Sequence, residues 1–170
     1  MRVLVVSDSH GSIESLLELQ QLYHGKVDEM FHCGDSELTN HDEALKHFLT
    51  VKGNCDWNGD FPEDIVHAVK GTTFFVTHGH MYNVKMSLMN LSYQAIEHNA
   101  DIVLFGHSHV LGVEFVDGIL YVNPGSILLP RAREEKTYCV IERKASVLMI
   151  SFFDHHHQEL IELRQQFQVQ

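Results

Sequence analysis

Apolar residues along this chain fall into short runs that stop at polar clusters. Arg2, Val3, Leu4, Val5 and Val6 form one continuous run, the pattern of a strand buried on both faces. Over residues 12–23, Ile13, Leu16, Leu17, Leu19 and Leu22 approximate one helical face, with Ser12 placed to cap it. The pattern predicts strands at 30–33 and 50–53, with a helix at 42–49 between them. Segments 66–69 and 72–77 flank Lys70-Gly71, which predicts a hairpin. Residues 84–98 predict a helix through Met86, Met89, Leu91, Tyr93 and Ile96, and 102–105 a buried strand. Asp117-Gly118 sits between 112–116 and 119–122, a second hairpin signal. A last strand pair is expected at 138–142 and 146–153, then a helix from Gln158 onward.

This order is α/β at first and strand-rich later, which suggests two packed sheets with helices outside. No linker or repeat divides the chain, so residues 1–170 are read as one domain. A domain of this size buries roughly 70% of its unfolded surface and needs no disulfide staples.

Composition narrows the class. Cys33, Cys55 and Cys139 are odd in number and form no CxxC pair, against a disulfide framework or a zinc knuckle. The formal net charge of -11 disfavours stable nucleic-acid binding. It leaves a phosphorylated substrate open, because bound divalent ions reverse the field locally. No window is apolar for the roughly 20 residues a membrane span needs. Ser7, Asp8, Ser9 and His10 cut the first apolar run short of a secretory signal, so a cytoplasmic protein is expected.

The informative feature is what stands at the strand ends. Val6 runs into Asp8-Ser9-His10, Cys33 into Gly34-Asp35, and Lys52 into Gly53-Asn54-Cys55-Asp56. Val76 runs into Thr77-His78-Gly79-His80, and Phe105 into Gly106-His107-Ser108-His109. In open α/β sheets, ligands bind beyond the carboxyl ends of strands. Asp, Asn and His offer oxygen and imidazole nitrogen without thiolate, which suits ions such as manganese, iron or zinc. On an extended segment, D-x-H and H-x-H spacings put both side chains on one side. Asp8 with His10, and His107 with His109, are therefore expected to reach one cluster. Seven ligands exceed one tetrahedral ion but suit two ions sharing a carboxylate. A lone member of this set has a blander explanation as a satisfied strand-end residue; the ordered combination does not.

With these residues in place, the chain resembles the calcineurin-like metallophosphoesterases. That superfamily's D-x-H, G-D, G-N-H-(D/E), H and G-H-x-H pattern is met at Asp8 to His10, Gly34-Asp35, Gly53 to Asp56, His78 and Gly106 to His109. Asn123-Pro124-Gly125-Ser126 and Pro130-Arg131 are similar to its small bacterial and archaeal phosphodiesterase branch. The resemblance implies a four-layer α/β/β/α sandwich of two mixed sheets flanked by helices. It implies two divalent ions, manganese first, with nickel, iron or zinc as alternatives. Asp8, His10 and His109 would hold one ion, and Asn54, His78 and His107 the other, with Asp35 bridging. A metal-bridging hydroxide would be the nucleophile and a small phosphodiester the substrate; Asp35, Asn54, Cys55 and His78 make up the implied catalytic set. His80 is expected near the site without being a ligand. A homo-oligomer is allowed.

One departure matters. Where many members have His after the Asn, this chain has Cys55, a poor replacement for an imidazolium at neutral pH. The same Cys is usual in the small phosphodiesterase branch. It argues for diesters with good leaving groups over monoesters. A retromer-subunit-like binding scaffold on the same fold, and a phosphomonoesterase, are the rival readings; the complete ligand set argues against the scaffold. Trp57 is a candidate for the substrate mouth and Arg131 for a phosphate contact. Asp154-His155-His156-His157 reads as a solvated turn.

Overall fold

The computed structural model describes residues 1–169. Among the described residues, eleven strands form two sheets and two α-helices accompany them. The first sheet contains β1 (Arg2–Val6), β2 (Glu29–His32), β3 (Leu49–Thr50), β9 (Thr137–Lys144), β10 (Val147–Asp154) and β11 (Gln165–Gln168), in the order β11-β10-β9-β1-β2-β3. The second contains β4 (Asp64–Val69), β5 (Thr72–Thr77), β6 (Ile102–Leu104), β7 (Gly112–Val116) and β8 (Ile119–Asn123), in the order β4-β5-β6-β8-β7. Both are mixed: β1, β2 and β3 run parallel, as do β5, β6 and β8, and the remaining pairs are antiparallel.

Side-chain alternation explains the layers. Val3 and Val5 of β1 face Phe74 and Val76 of β5 and Ile102 and Leu104 of β6 in one fully buried core between the sheets. The alternate residues Leu4 and Val6 face outward and pack on Leu16, Leu19 and Tyr23 of α1 (Ile13–Tyr23). On the other side, Phe75 and Val103 pack on Leu91 and Ala95 of α2 (Met89–Glu97). The result is the expected α/β/β/α sandwich, with one helix closing each outer face.

Several local expectations change: the strand expected at 50–53 is only Leu49–Thr50, and Ser12 stands at the start of α1 without a side-chain cap bond. The helix expected over 84–98 is confined to Met89–Glu97. Gly79 and Asn83 adopt left-handed conformations (φ 95° and 56°) around a 3-10 turn at His80–Tyr82, so the chain enters the helix late. The segment 42–49 forms only a 3-10 turn at Glu43–Leu45. The tail is a 3-10 turn at Ile161–Leu163 followed by β11, which pairs with β10. Pairing at a sheet edge satisfies the backbone of Gln165–Gln168 better than an isolated turn of helix.

Candidate metal centre

The parallel strands β1, β2, β3, β5 and β6 deliver their carboxyl-end loops to one edge of the sandwich. Bonds within the second sheet and from it to the Asp8 loop of the first tie these ends together. Gly106 N–H donates to the His78 carbonyl (3.1 Å), and His107 N–H to Asp8 Oδ2 (3.2 Å). Ser126 Oγ donates to the Asp8 carbonyl (2.7 Å), and Asn123 Nδ2 to the Gly106 carbonyl (2.9 Å). The Asn-Pro-Gly-Ser segment, which begins with the last residue of β8, therefore braces both the Asp8 loop and the His107 loop.

Asp8, His10, Asp35 and His109 present ligand atoms within 4.8 Å of one another. His109 Nε2 lies 3.1 Å from Asp8 Oδ1 and 3.3 Å from His10 Nε2. His78 Nε2 lies 3.3 Å from Asp35 Oδ2 and 3.2 Å from Asn54 Oδ1. The His107 ring centroid is 5.1 Å from that of His78. All seven sequence-predicted ligand residues thus meet at one edge, in two adjoining groups with Asp35 between them.

The route to this convergence differs from the expected one. Asp8 and His10, and His107 and His109, do not lie on extended backbone. They have positive φ, at 53°, 42°, 65° and 57°, as does Asp35 at 52°. Each such residue costs on the order of 1 kcal/mol or more, and persists where surrounding bonds over-determine it. The bonds are present: Asp8 N–H donates to the Gly34 carbonyl and His10 N–H to the Asp35 carbonyl, both at 3.0 Å. Two glycines permit the approach. A Cβ on Gly34 would stand 2.8 Å from His78 Nδ1, and one on Gly106 would overlap Ser7 Oγ.

Surrounding acceptors orient the imidazoles. Nδ1 of His10 faces Glu37 Oε1 (2.6 Å), that of His78 the Cys33 carbonyl (2.7 Å), and that of His109 the Leu129 carbonyl (2.7 Å). Each acceptor draws the Nδ1 proton and turns Nε2 toward the cluster, as metal-binding histidines require. Asn54 is set similarly: its Nδ2 donates to Cys55 Sγ (3.2 Å) while its Oδ1 faces His78.

Three residues outside the predicted set shape the centre. Asp56 is buried and accepts four hydrogen bonds: from Asp35 N–H (2.9 Å), Gly53 N–H (2.7 Å), Ser36 Oγ (3.0 Å) and Glu37 N–H (2.6 Å). Glu37 fixes His10. The Asp ending Gly53-Asn54-Cys55-Asp56 was a visible signal; nothing in the spacing linked Glu37 to His10. His32, fully buried, pairs with Ser9 Oγ (2.9 Å) and accepts from Gly34 N–H (3.2 Å). Burial pushes its pKa down to about 4, so it is a neutral brace between two loops.

The charge pattern calls for cations. Asp8 and Asp35 are buried, and among the described residues the ion pairs that reach them come from histidines alone. Among the described residues, Asp8 Oδ1 meets no donor other than imidazole, His109 Nε2 standing 3.1 Å away. Burial raises the Asp35 pKa, but the His78 imidazole and the Cys55 N–H outweigh it and hold the carboxyl below the usual range. Burial lowers His78, yet Asp35 and Asp8 raise it overall. His109 is raised by Asp8 against the opposing effect of burial. His107 is pushed down to about 4 by burial and then by His78 and Lys85, and His80 is lowered by burial and His78. A divalent ion between the two carboxylates would neutralise them where these imidazoles now face them. Two buried carboxylates whose ion pairs, among the described residues, come from oriented imidazoles alone fit such ions.

The comparisons agree. The family model described as "Calcineurin-like phosphoesterase superfamily domain" matches residues 1–146. The chain belongs to the calcineurin-like phosphoesterase superfamily. It is similar to Probable metallophosphoesterase YsnB of Bacillus subtilis, 41% identical over 164 residues, covering 96% of this chain and 97% of that one. A crystal structure of a predicted phosphoesterase from Streptococcus pneumoniae superposes with a TM-score of 0.95 at 36% identity, covering 98% and 97% of the two chains. Phosphodiesterase MJ0936 of Methanocaldococcus jannaschii is 26% identical over 145 residues, 74% of this chain and 83% of that one. Vacuolar protein sorting-associated protein 29 of Schizosaccharomyces pombe is 35% identical over 136 residues, 74% and 72% of the two. In this superfamily member the remaining marked residues fall as follows. His80 stands beside the centre, its ring 5.4 Å from that of His78. Arg131 N–H donates to the His109 carbonyl (3.1 Å), which places it next to the centre through its backbone. Asp154 Oδ1 caps the turn that carries His155 and His156, accepting from His156 and Gln158 N–H (both 2.9 Å). His157 packs on Tyr138, behind α1. No helix among the described residues is long and apolar enough to cross a membrane.

Proposed function

We propose that this protein hydrolyses a small phosphodiester at a centre of two divalent ions. The carrying observation is Asp8 Oδ1: a buried carboxylate oxygen that, among the described residues, meets only imidazole, with His109 Nε2 at 3.1 Å and His10 Nε2 a further 3.3 Å from that atom. Asp8, His10 and His109 would hold one ion, Asn54, His78 and His107 the other, and Asp35 both. Bound there, the ions would activate a water as nucleophile at neutral pH and neutralise phosphoryl charge. Manganese heads the candidates, with nickel, iron and zinc behind it, since O and N donors accept several ions.

The chain's own residues define what the site can do around that chemistry. Asp35 Oδ1 is held by Cys55 N–H (2.7 Å), leaving Oδ2 toward His78. Glu37, Cys33 and Leu129 keep three imidazoles from rotating. Burial, then the Asp35 charge, pushes the Cys55 thiol up to about 11. It is a neutral thiol at physiological pH and a weak proton donor. Esters whose leaving group needs little protonation are therefore favoured, which supports an activated diester over a monoester. A name such as MJ0936's, a phosphodiesterase, points the same way.

The rival reading is a binding scaffold, favoured by the likeness to Vacuolar protein sorting-associated protein 29. A scaffold needs no oriented imidazoles, whereas this chain keeps all seven ligand residues at one edge. The test is a grid of metals against substrates on purified, metal-stripped protein. Restored hydrolysis of an aryl phosphodiester by manganese or a similar ion is expected. Metal loading without turnover of any phosphate ester would favour the scaffold.

A further inference from the structure

Beside the candidate centre lies a cleft of about 320 Å³ whose lining includes Lys52, Asn54, Trp57, Glu63 and His80. Asn54 belongs to the proposed metal site and His80 stands against His78, so the cleft adjoins the place where a phosphoryl group would sit. Trp57 is 86% exposed, the most exposed large apolar side chain among the described residues. It belongs to none of the three apolar clusters. A core role therefore does not account for it. Its backbone N–H is bonded to the Cys55 carbonyl (3.1 Å), which ties the ring's loop to the Asn54-Cys55 turn.

We propose that Trp57 is a stacking platform for an aromatic ring carried by the phosphate-ester substrate. The inference rests on the phosphoesterase reading and narrows its substrate class. An exposed indole next to a phosphoryl site offers a flat apolar face with little conformational freedom to lose. Lys52 and Glu63 offer a donor and an acceptor at the same cleft, and the volume is at the small end for ligand pockets, suited to one ring system. The shared chemistry is an aromatic ring joined to phosphate, either directly as an aryl ester or through a sugar as a nucleobase.

The chain has a single tryptophan, so its emission reports on this platform alone. Metal-restored protein is titrated with phenyl phosphate, adenosine 5′-monophosphate and, as the ring-free control, ribose 5-phosphate. Emission and calorimetric affinity are read for each. Saturable quenching by a ring-bearing phosphate, bound more tightly than ribose 5-phosphate, is expected. Tighter binding of phenyl phosphate marks an aryl substrate; tighter binding of the nucleotide marks a nucleobase. Trp57→Ala should weaken the ring-bearing ligand roughly 5- to 150-fold. Ribose 5-phosphate affinity and metal content should not change, and Trp57→Phe should restore most of the loss. If ring-bearing phosphates bind no better than ribose 5-phosphate, or Trp57→Ala changes nothing, the platform is refuted while the metal centre stands. If none of the three binds with the ions loaded, the platform is refuted, and turnover of an aryl phosphodiester by the same loaded protein decides the phosphoesterase reading separately.

Discussion

Replacing Asp56 should loosen the centre without removing a ligand. Its carboxylate accepts from three backbone N–H groups and one hydroxyl, at 2.6–3.0 Å, in a site only 2% exposed. Asp56→Ala strands those donors. Each buried donor left unpaired costs about 1–3 kcal/mol, and relaxation keeps the total below the sum, so a loss of about 3–5 kcal/mol is expected. Asp56→Asn keeps the shape but turns an NH₂ group toward N–H donors. Facing Asp35 and Gly53 it opposes two donors; flipped toward Ser36 and Glu37 it opposes one, because the Ser36 hydroxyl can rotate to accept. The flipped form should prevail, at a cost of about 2–3 kcal/mol. In a chain of 170 residues, about 1 kcal/mol moves Tm by roughly 2–4 °C, so Asp56→Asn should melt about 4–12 °C lower. Because the Asp35 N–H is among the released groups, metal affinity should fall as well. Thermal unfolding of the metal-free variants by circular dichroism and calorimetric metal titration are the assays. An Asp56→Asn protein that melts within about 2 °C of wild type and binds metal unchanged would refute the reasoning.

Asp35→Ala should remove more activity than loss of any one of Asp8, His10 or His107, because it would serve both ions; elemental analysis should find fewer than two ions retained. Cys55→His should raise monoester relative to diester kcat/KM, since general acid help is typically worth about 10²–10⁴-fold, while leaving metal content unchanged. An unmoved ratio in a folded, loaded variant would overturn the account of Cys55. Metal affinity should fall with acid. His78 and His109 are raised above their ordinary 6.5 in the metal-free fold, so their protons stabilise that fold below about 6.5, and the contribution is lost as pH rises through the folded values. An ion must displace those protons, so calorimetry should show proton release and weaker binding at about pH 5.5 than at about 7.5.

Much of this site was readable because its ligands sit where apolar runs end, and a run such as Val3–Val6 dictates a buried strand with little help from the rest of the chain. Side-chain type then named the chemistry. The backbone conformation was not readable. Positive φ at Asp8, His10, Asp35, His107 and His109 is imposed by bonds between loops far apart in sequence, such as His10 N–H to the Asp35 carbonyl. Asp8 with His10, and His107 with His109, therefore reach one edge, but not through the extended backbone that the spacing suggests. Glu37 escaped notice on the same grounds: only the folded chain sets its carboxylate against His10. The tail misled because Gln165–Gln168 has no strong pattern of its own and takes its conformation from the open edge of β10. Helix α2 was placed correctly but too long, since a separate turn closed by Met86 N–H to the Asn83 carbonyl (2.9 Å) takes up the first residues of the apolar pattern.

The central claim is a pair of ions held by seven side chains at one edge of the sandwich. Anomalous diffraction from crystals soaked in manganese tests it directly. The account predicts two peaks, one among Asp8, His10 and His109, the other among Asn54, His78 and His107, with Asp35 in contact with both. A single peak, or two peaks that leave Asp8 Oδ1 without a partner, would contradict it.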